Sequence, residues 1–315
     1  MCSLRLLRCQ PFGWREGRGS IRTRDDVQSA DLRSEQRGRQ LVAAASAKAA
    51  AKQFQRPELA ERALNYHAAH IIREQENREA VLQIAAGELT KNPPASELTT
   101  EIDDDWLTAM FKEASTRSSE EFCTLFGRIL AGEVKQPETF SIGTVQSVGR
   151  LNQSAAANFQ KACNISSVFV GVSPPKIIAD PFGSADENSL EPFGLNYDNL
   201  ANLVETGLLR YELNEWREIW RFFVTHRVVF DHAGQSFWFL AEGADNSSIP
   251  SLLPTLRLTG PSFSQIGTEL RSVVNMEVSE EYIAKLAGWL KERNTRLYRA
   301  VGKSGNQGQL VEPAV

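Results

Sequence analysis

The hydrophobic periodicity of the chain changes near residue 165, and this change constrains the fold more than any other feature of the sequence. Up to Cys163, apolar residues recur at the three- and four-residue spacing of helices that bury one face. Beyond it, short β-like runs at 168–172 and 176–179 are separated by the turn signal Pro174-Pro175. We therefore expect a mostly α protein with a smaller α+β part in the C-terminal half.

The composition limits the classes of protein to which the chain can belong. Its 315 residues are 42% hydrophobic and 23% charged, which is ordinary for a globular protein. Lys and Arg total 35 against 39 Asp and Glu, and the net charge of −4 argues against a protein that coats nucleic acid, so that any such site would be a local patch. No apolar run approaches the roughly 20 residues that cross a bilayer, so we predict no transmembrane segment.

The cysteines form no C-x-x-C pair and have no closely spaced histidine, which argues against a zinc ribbon and a disulfide scaffold. Reduced thiols fit this pattern, and we predict a cytoplasmic protein. Cys123 lies on the apolar stripe of a predicted helix, where a small buried hydrophobe is favoured over a reactive thiol.

Both ends of the chain are predicted to be disordered. Residues 1–30 form a basic extension, with six arginines among the first 24 residues and Glu16 as the one acid. An organelle-type presequence, a membrane-touching segment and a start codon assigned too early are alternatives for this extension. Residues 301–315 form a polar tail rich in Gly, Asn and Gln.

Residues 31–91 are predicted to form a helical arm. The segment 41–52 is rich in alanine, a strong helix former, and Pro57 must either interrupt this helix or begin a second one; the piece that starts at Pro57 continues to Leu89. The apolar positions of this second helix share an approximate stripe: Leu64, Ile71, Ile72 and Leu82. Such a weakly apolar face suits a loose coiled coil or a helical hairpin, so we predict that residues 31–91 contact a protein partner or a second copy of the chain.

Residues 97–165 are predicted to form a cassette of four short helices, after a linker at 92–96. Asp103–Asp105 supply a cap and dipole-matching acids to the first helix. Ser118 and Glu121 fit a capping box at the start of the second, and Gly132 stands where a C-cap glycine is expected.

Residues 166–300 are predicted to form an α+β domain that resembles a winged-helix module with a β-hairpin. A short helix from Tyr197 to Glu205 ends at Gly207, and a turn at 231–235 joins the two hairpin strands. The remaining predicted elements are strands at 208–213, 222–230 and 236–241 and helices at 263–274 and 280–293.

The segment from Asp104 to about Cys163 resembles a bacterial family known as domain of unknown function 2806. Family members share an acid-Trp-Leu block, then a Glu-led helix that closes on Ile-Leu-Ala-Gly-Glu, then Pro-x-x-Phe-Ser; here these blocks begin at Asp105, Glu120 and Pro137. The resemblance is best over residues 70–165 and looser over 203–209 and 267–270. It departs from the family at Phe126, where a Trp or similar ring is usual.

The resemblance implies no reaction, because the family has no established activity. The Ile-Leu-Ala-Gly-Glu helix is also distantly similar to helical proteins of bacterial abortive-infection systems. That similarity implies a role in phage defence by analogy alone.

Clustered carboxylates and histidines are the candidates for catalysis or metal binding. Helix capping explains Asp103–Asp105 without a metal ion, whereas the role of Glu133 stays open between acid/base chemistry and structure. His67 and His70 lie three residues apart with Glu74 one turn on, but without a third ligand in view solvated histidines are favoured.

The remaining histidines flank the predicted hairpin. A Ser/His/Asp arrangement of Ser236, His226 or His232, and Asp231 can be constructed, but no nucleophile elbow supports it and a polar turn explains these residues better. We therefore predict no catalytic residue, no cofactor and no metal site.

An aromatic and basic surface is the remaining candidate site. Trp216 and Trp220 are four residues apart and alternate with Arg217 and Arg221, a pattern that suits base stacking and phosphate contact, although core packing of the rings is favoured. We predict a non-enzymatic interaction or self-associating protein, with a winged-helix-type nucleic-acid-binding regulator as the alternative.

Overall fold

A computed structural model describes residues 41–46, 48–49, 57–94, 101–170, 174–218, 227–241, 257–301 and 307–313. The chain forms two compact units, residues 1–72 and 73–315, and each is described by itself. Among the predicted features, the whole extension 1–30 and most of the segment 31–56, together with Trp220, Arg221 and His226, lie outside the described residues.

A long helix, α1, spans Pro57–Lys91 as the sequence predicts. In the first unit its residues are almost all exposed, and Ala60 is the one buried residue between 58 and 72. In the second unit Val81 and Ala85 are buried in the hydrophobic core, and Asn77 Nδ2 donates a hydrogen bond of 2.7 Å to the Ser115 carbonyl.

The predicted cassette consists of four helices, each of which begins at a polar cap. Their bounds are α2, Asp104–Ser115; α3, Glu120–Lys135; α4, Ile142–Arg150; and α5, Gln153–Asn164. The side chains of Asp103, Ser119, Ser141 and Asn152 each accept a hydrogen bond from the backbone N–H three residues on. Asp103 confirms its predicted capping role, but the cap of α3 is Ser119 and the prediction of Ser118 is wrong by one residue.

The C-terminal half contains a six-stranded antiparallel sheet and a separate two-stranded ribbon. The strands are β1, Ser166–Phe169; β2, Lys176–Ile177; β3, Trp216–Glu218; β4, Arg227–His232; β5, Gln235–Ala241; β6, Arg257–Thr259; β7, Thr295–Val301; and β8, Gln307–Leu310. The sheet has the order β2-β1-β4-β5-β7-β8, and the ribbon pairs β3 with β6. The helices of this half are α6, Tyr197–Glu205; α7, Gln265–Arg271; and α8, Glu280–Lys291.

The predicted hairpin is formed by β4 and β5. Its two-residue turn consists of Ala233 and Gly234, whose φ angles of 49° and 80° match the right-handed twist of the flanking strands. The hairpin lies at the centre of the six-stranded sheet, where β1 covers one edge and β7 the other. A winged-helix topology is therefore not confirmed, although the mostly α fold with a smaller α+β part is.

One continuous hydrophobic cluster joins the cassette to the sheet. It extends from Val81 through Phe126 and Phe159 to Phe230 and Leu297. The predicted boundary at 165 is therefore a change of secondary structure within one core.

Three further local predictions are wrong. The helix α3 does not end at Gly132 but continues to Lys135, and Gly132 instead makes room inside the helix for the Phe140 ring. The predicted strand at 208–213 is reduced to an isolated bridge between Leu209 and Phe263. The tail predicted to be disordered at 301–315 contains β8, which pairs with β7.

The glycine in β8 explains why this strand forms against a bulky neighbour. A Cβ atom at Gly308 would lie 2.2 Å from the Trp238 ring, so the strand backbone passes directly over the indole. The polar sequence Gln-Gly-Gln-Leu carries no alternating apolar pattern that would have predicted it.

Candidate functional site

Glu133, the last residue of the Ile-Leu-Ala-Gly-Glu block, holds the loop that follows α3. Its side chain is 3% exposed. Oε1 accepts a hydrogen bond of 2.6 Å from the Glu138 backbone N–H, and Oε2 accepts one of 2.9 Å from that of Phe140. The loop is tight, since Glu138 within it has a φ of 68°. The carboxylate supplies the hydrogen-bond acceptors that the backbone N–H groups of such a loop would otherwise lack. These hydrogen bonds therefore give Glu133 a structural role.

The Pro-x-x-Phe-Ser block packs against the other two blocks of the cassette. Trp106 Nε1 donates a hydrogen bond of 2.7 Å to the Phe140 carbonyl. A Cβ atom at Gly132 would lie 2.7 Å from the Phe140 ring, so only glycine lets the ring approach the helix backbone this closely.

The two C-terminal blocks in which the family resemblance is looser, residues 203–209 and 267–270, contact each other, and the second also contacts the cassette. Glu269 Oε2 accepts hydrogen bonds from Ser141 N at 2.7 Å and Thr144 Oγ1 at 2.6 Å, which places its negative charge at the N-terminus of α4. A Cβ atom at Gly267 would lie 2.0 Å from the Leu208 carbonyl oxygen, within the block 203–209. The residues that carry the family resemblance thus build the fold.

The predicted histidine pair on α1 is exposed. His67 and His70 both face solvent, and the His70 ring lies 6.0 Å from that of Tyr66, measured between centroids. Within the described ranges, no three His, Cys, Asp or Glu side chains are grouped so that they could hold a metal ion.

His232 does not face Ser236 but shares a hydrogen bond with Ser167. The distance between Ser167 Oγ and His232 Nδ1 is 3.1 Å, and both residues are fully buried. The imidazole stacks on the Tyr282 ring at 5.2 Å between centroids. Burial, reinforced by the positive charges of Arg271 and Arg299, lowers the pKa of His232 to about 3. An imidazole with this pKa is a weak general base near neutral pH.

Arg271 and Tyr282 connect this buried group to its surroundings. Arg271 Nε donates a hydrogen bond of 2.6 Å to Ser166 Oγ, and Arg271 Nη2 lies 3.4 Å from Asp231 Oδ1. The Tyr282 hydroxyl donates to the Ile178 carbonyl at 2.8 Å and accepts from the Ile178 N–H at 2.9 Å. Burial raises the pKa of Tyr282 far above its usual range. These contacts join β1, β4, α7, α8 and the residue that follows β2, and they have a structural role.

Lys176 is a buried cation that the sequence analysis missed. Its ammonium donates hydrogen bonds to the carbonyls of Glu215 and Gly260 and to Ser262 Oγ. Burial lowers its pKa to about 8, against the opposing effect of the nearby Glu215 carboxylate. The lysine therefore fastens β2 to one end of the β3–β6 ribbon, where Glu215 precedes β3 and Gly260 follows β6. No local signal distinguishes it, because its partners lie 39 to 86 residues away.

Of the predicted aromatic and basic surface, the structure describes Trp216 and Arg217. The Trp216 side chain on β3 is 54% exposed, and the Arg257 guanidinium of β6 lies 4.5 Å from its ring centroid. Arg217 and Arg210 both lie 3.6 Å from Glu215 Oε1. Tyr211 is 92% exposed in the same region of the sequence. The expectation that Trp216 is packed in the core is wrong, because β3 belongs to a two-stranded ribbon whose outer face meets solvent.

Cys123 is a small buried hydrophobe, as predicted. It is 5% exposed, its Sγ lies 3.6 Å from the Arg117 carbonyl, and burial raises its pKa. Such a thiol is a poor nucleophile. No helix in the described part of the chain combines the length and the apolar character that a membrane span requires.

Comparison with known proteins gives one match. A family model described as "Protein of unknown function (DUF2806)" matches residues 61–287, which is more than two thirds of the chain and includes every block that carries the resemblance. Neither the curated proteins nor the solved structures contain a match. The chain therefore belongs to the family described as protein of unknown function DUF2806.

Proposed function

We propose that the chain is a self-associating interaction protein and that the first turns of α1 pair with the same helix of a second copy. The observation that carries this proposal is an exposed apolar stripe within residues 57–72. Leu59 is 47% and Tyr66 is 72% exposed, although large apolar side chains at this spacing are usually buried on a helix.

The spacing of the stripe favours another helix as the occupant. Leu59, Ala63, Tyr66 and His70 follow one another at four, three and four residues, which is the repeat of a coiled-coil seam. Arg62 flanks the stripe and Glu61 lies on the opposite side of the helix, so the exposed charges of these turns are of both signs. Leu41 and Val42, in the same predicted arm, are also largely exposed, at 69% and 67%.

Light scattering coupled to size-exclusion chromatography tests the proposal. We expect the double variant Leu59→Glu, Tyr66→Glu to elute as a 35.1 kDa monomer under conditions in which the wild type is larger. The matched control is Asn65→Glu, Ala69→Glu, which adds the same charge at exposed positions outside both this stripe and the one that contains Leu64 and Ile71, and should keep the wild-type mass. Equal masses for the two double variants would contradict the proposal.

A nucleic-acid-binding regulator is the second candidate function, and the exposed Trp216 favours it. An indole with Arg257 over its face can stack a base of a single strand. We rank it second because two glutamates oppose the cations of this surface: Glu215 pairs with Arg210 and Arg217, and Glu218 lies 3.5 Å from Arg257.

Fluorescence anisotropy with a labelled single-stranded 20-mer tests the second function. Affinity that falls steeply with salt and is weakened by Trp216→Ala, but not by Tyr197→Ala at another exposed aromatic, would support it. A role in phage defence rests on the distant similarity to abortive-infection proteins alone, and infection of strains with and without the gene is its direct test.

A further inference from the structure

A groove between α3 and α5 has an apolar floor and is separate from the exposed stripe of α1. Its volume is about 530 Å³, within the range of small-molecule sites. Phe122, Leu125, Leu151 and Phe159 line it, and residues 273–275 close one side. Leu151 and Phe159 are almost fully buried at its base, whereas Leu125 is half-buried, so the groove offers apolar surface that is accessible from solvent.

Arg128 gives one end of this groove a positive charge. It also lines an adjoining cavity of about 410 Å³, together with Lys135, Glu88 and the polar side chains Gln136 and Thr139. In the described part of the chain, the Arg128 guanidinium makes one hydrogen bond, from Nη1 to the Val273 carbonyl at 3.3 Å, and has no carboxylate partner. Its remaining donors are therefore available to an anion, and a second cation, Lys135, lines the same cavity. Glu88 also lines this cavity, but its carboxylate lies 3.2 Å from the Lys91 ammonium, which offsets its charge.

The opposite end of the groove carries negative charge. Glu120 and Glu121 are exposed on the first turn of α3 and line the groove there. Glu121 and Arg128 are seven residues apart, so about 10 Å of helix separates the two charged ends. The floor between the two ends is apolar. A negatively charged group is therefore attracted to the Arg128 end of the groove and repelled from the Glu121 end.

We propose that the groove binds an amphiphile with a single anionic head group and a short alkyl tail. The head group pairs with Arg128, and the tail lies over Leu125 and Phe159 toward Glu121. Charge complementarity selects the anion, and the apolar floor selects the tail. A molecule with an anion at both ends would place its second charge beside Glu121 and should be rejected.

Isothermal titration calorimetry on the full chain with decanoate, below its micelle concentration, tests this assignment. We expect saturable binding at one site, at least tenfold weaker binding of decanedioate, and weaker binding of decyltrimethylammonium. Arg128→Gln should weaken decanoate binding about tenfold, through loss of the charged pair.

Ala157→Glu supplies an independent test, because Ala157 is exposed on α5, lines the groove and tolerates a good helix former. It should also weaken decanoate binding, whereas Lys285→Gln, which removes an exposed cation on α8, should not. Absence of decanoate binding, equal affinity for decanedioate or decyltrimethylammonium, or unchanged affinity in both groove variants would overturn the proposal. None of these outcomes depends on self-association.

Discussion

Replacing Glu133 by Gln should destabilise the protein, because one carboxylate holds two backbone donors. A glutamine oxygen can accept from the N–H of Glu138 or of Phe140 but not from both, and its NH₂ group must then face a second donor. A hydrogen bond to a charged group contributes about 1.5–3 kcal/mol, and a buried donor without a partner costs about 1–3 kcal/mol. We therefore expect the free energy of unfolding to fall by about 2–4 kcal/mol.

Urea denaturation followed by circular dichroism measures this change. With a slope of about 2–3 kcal/mol per M, the midpoint should fall by about 1 M. The matched control is Glu138→Gln in the same loop, whose exposed side chain can change while its backbone N–H remains; it should stay within about 0.5 kcal/mol of the wild type. A midpoint for Glu133→Gln that equals the control would refute the structural role and reopen acid/base chemistry at this residue.

Two further predictions concern packing and pH. Gly127→Ala would place a Cβ atom 2.5 Å from Ile84 Cγ2 and should cost about 1–3 kcal/mol, whereas Gly87→Ala meets open space and should stabilise the helix by about 0.5–1 kcal/mol. Equal changes in urea denaturation would contradict this packing. Because the pKa of His232 is lowered from 6.5 to about 3, the unfolded chain binds a proton below pH 6.5 that the folded chain does not. The resulting stability is complete well above pH 6.5 and should fall by about 2 kcal/mol between pH 6.5 and 4.5; His232→Asn should reduce this loss, and an unchanged pH dependence would disprove the assignment.

Local signals in the sequence predicted much of the helical part of the fold. Asp103 is the cap of α2, and Gly207 follows α6 with a φ of 75°, because capping depends on residues within one or two turns. The change from helical to strand-like periodicity near residue 165 could also be predicted, because it too depends on residues that are close in sequence. Ser118 was misassigned because two adjacent serines offer equivalent caps, and the register of α3 decides between them.

The tertiary contacts of single side chains could not be predicted in this way. Ser167 and His232 are 65 residues apart, and Arg271 is 105 residues from Ser166, so no motif joins them before the sheet forms. Trp216 was expected in the core because aromatic rings are usually buried, but the sequence does not reveal that its strand pairs with β6 alone. The role of Glu133 likewise became clear only when both oxygens had identified partners.

Sedimentation equilibrium of the wild-type chain over a wide concentration range tests the proposed function most directly. The exposed stripe at Leu59 and Tyr66 predicts a weight-average mass that rises above 35.1 kDa with concentration and falls back on dilution. A constant mass of 35.1 kDa up to the highest concentration would contradict self-association.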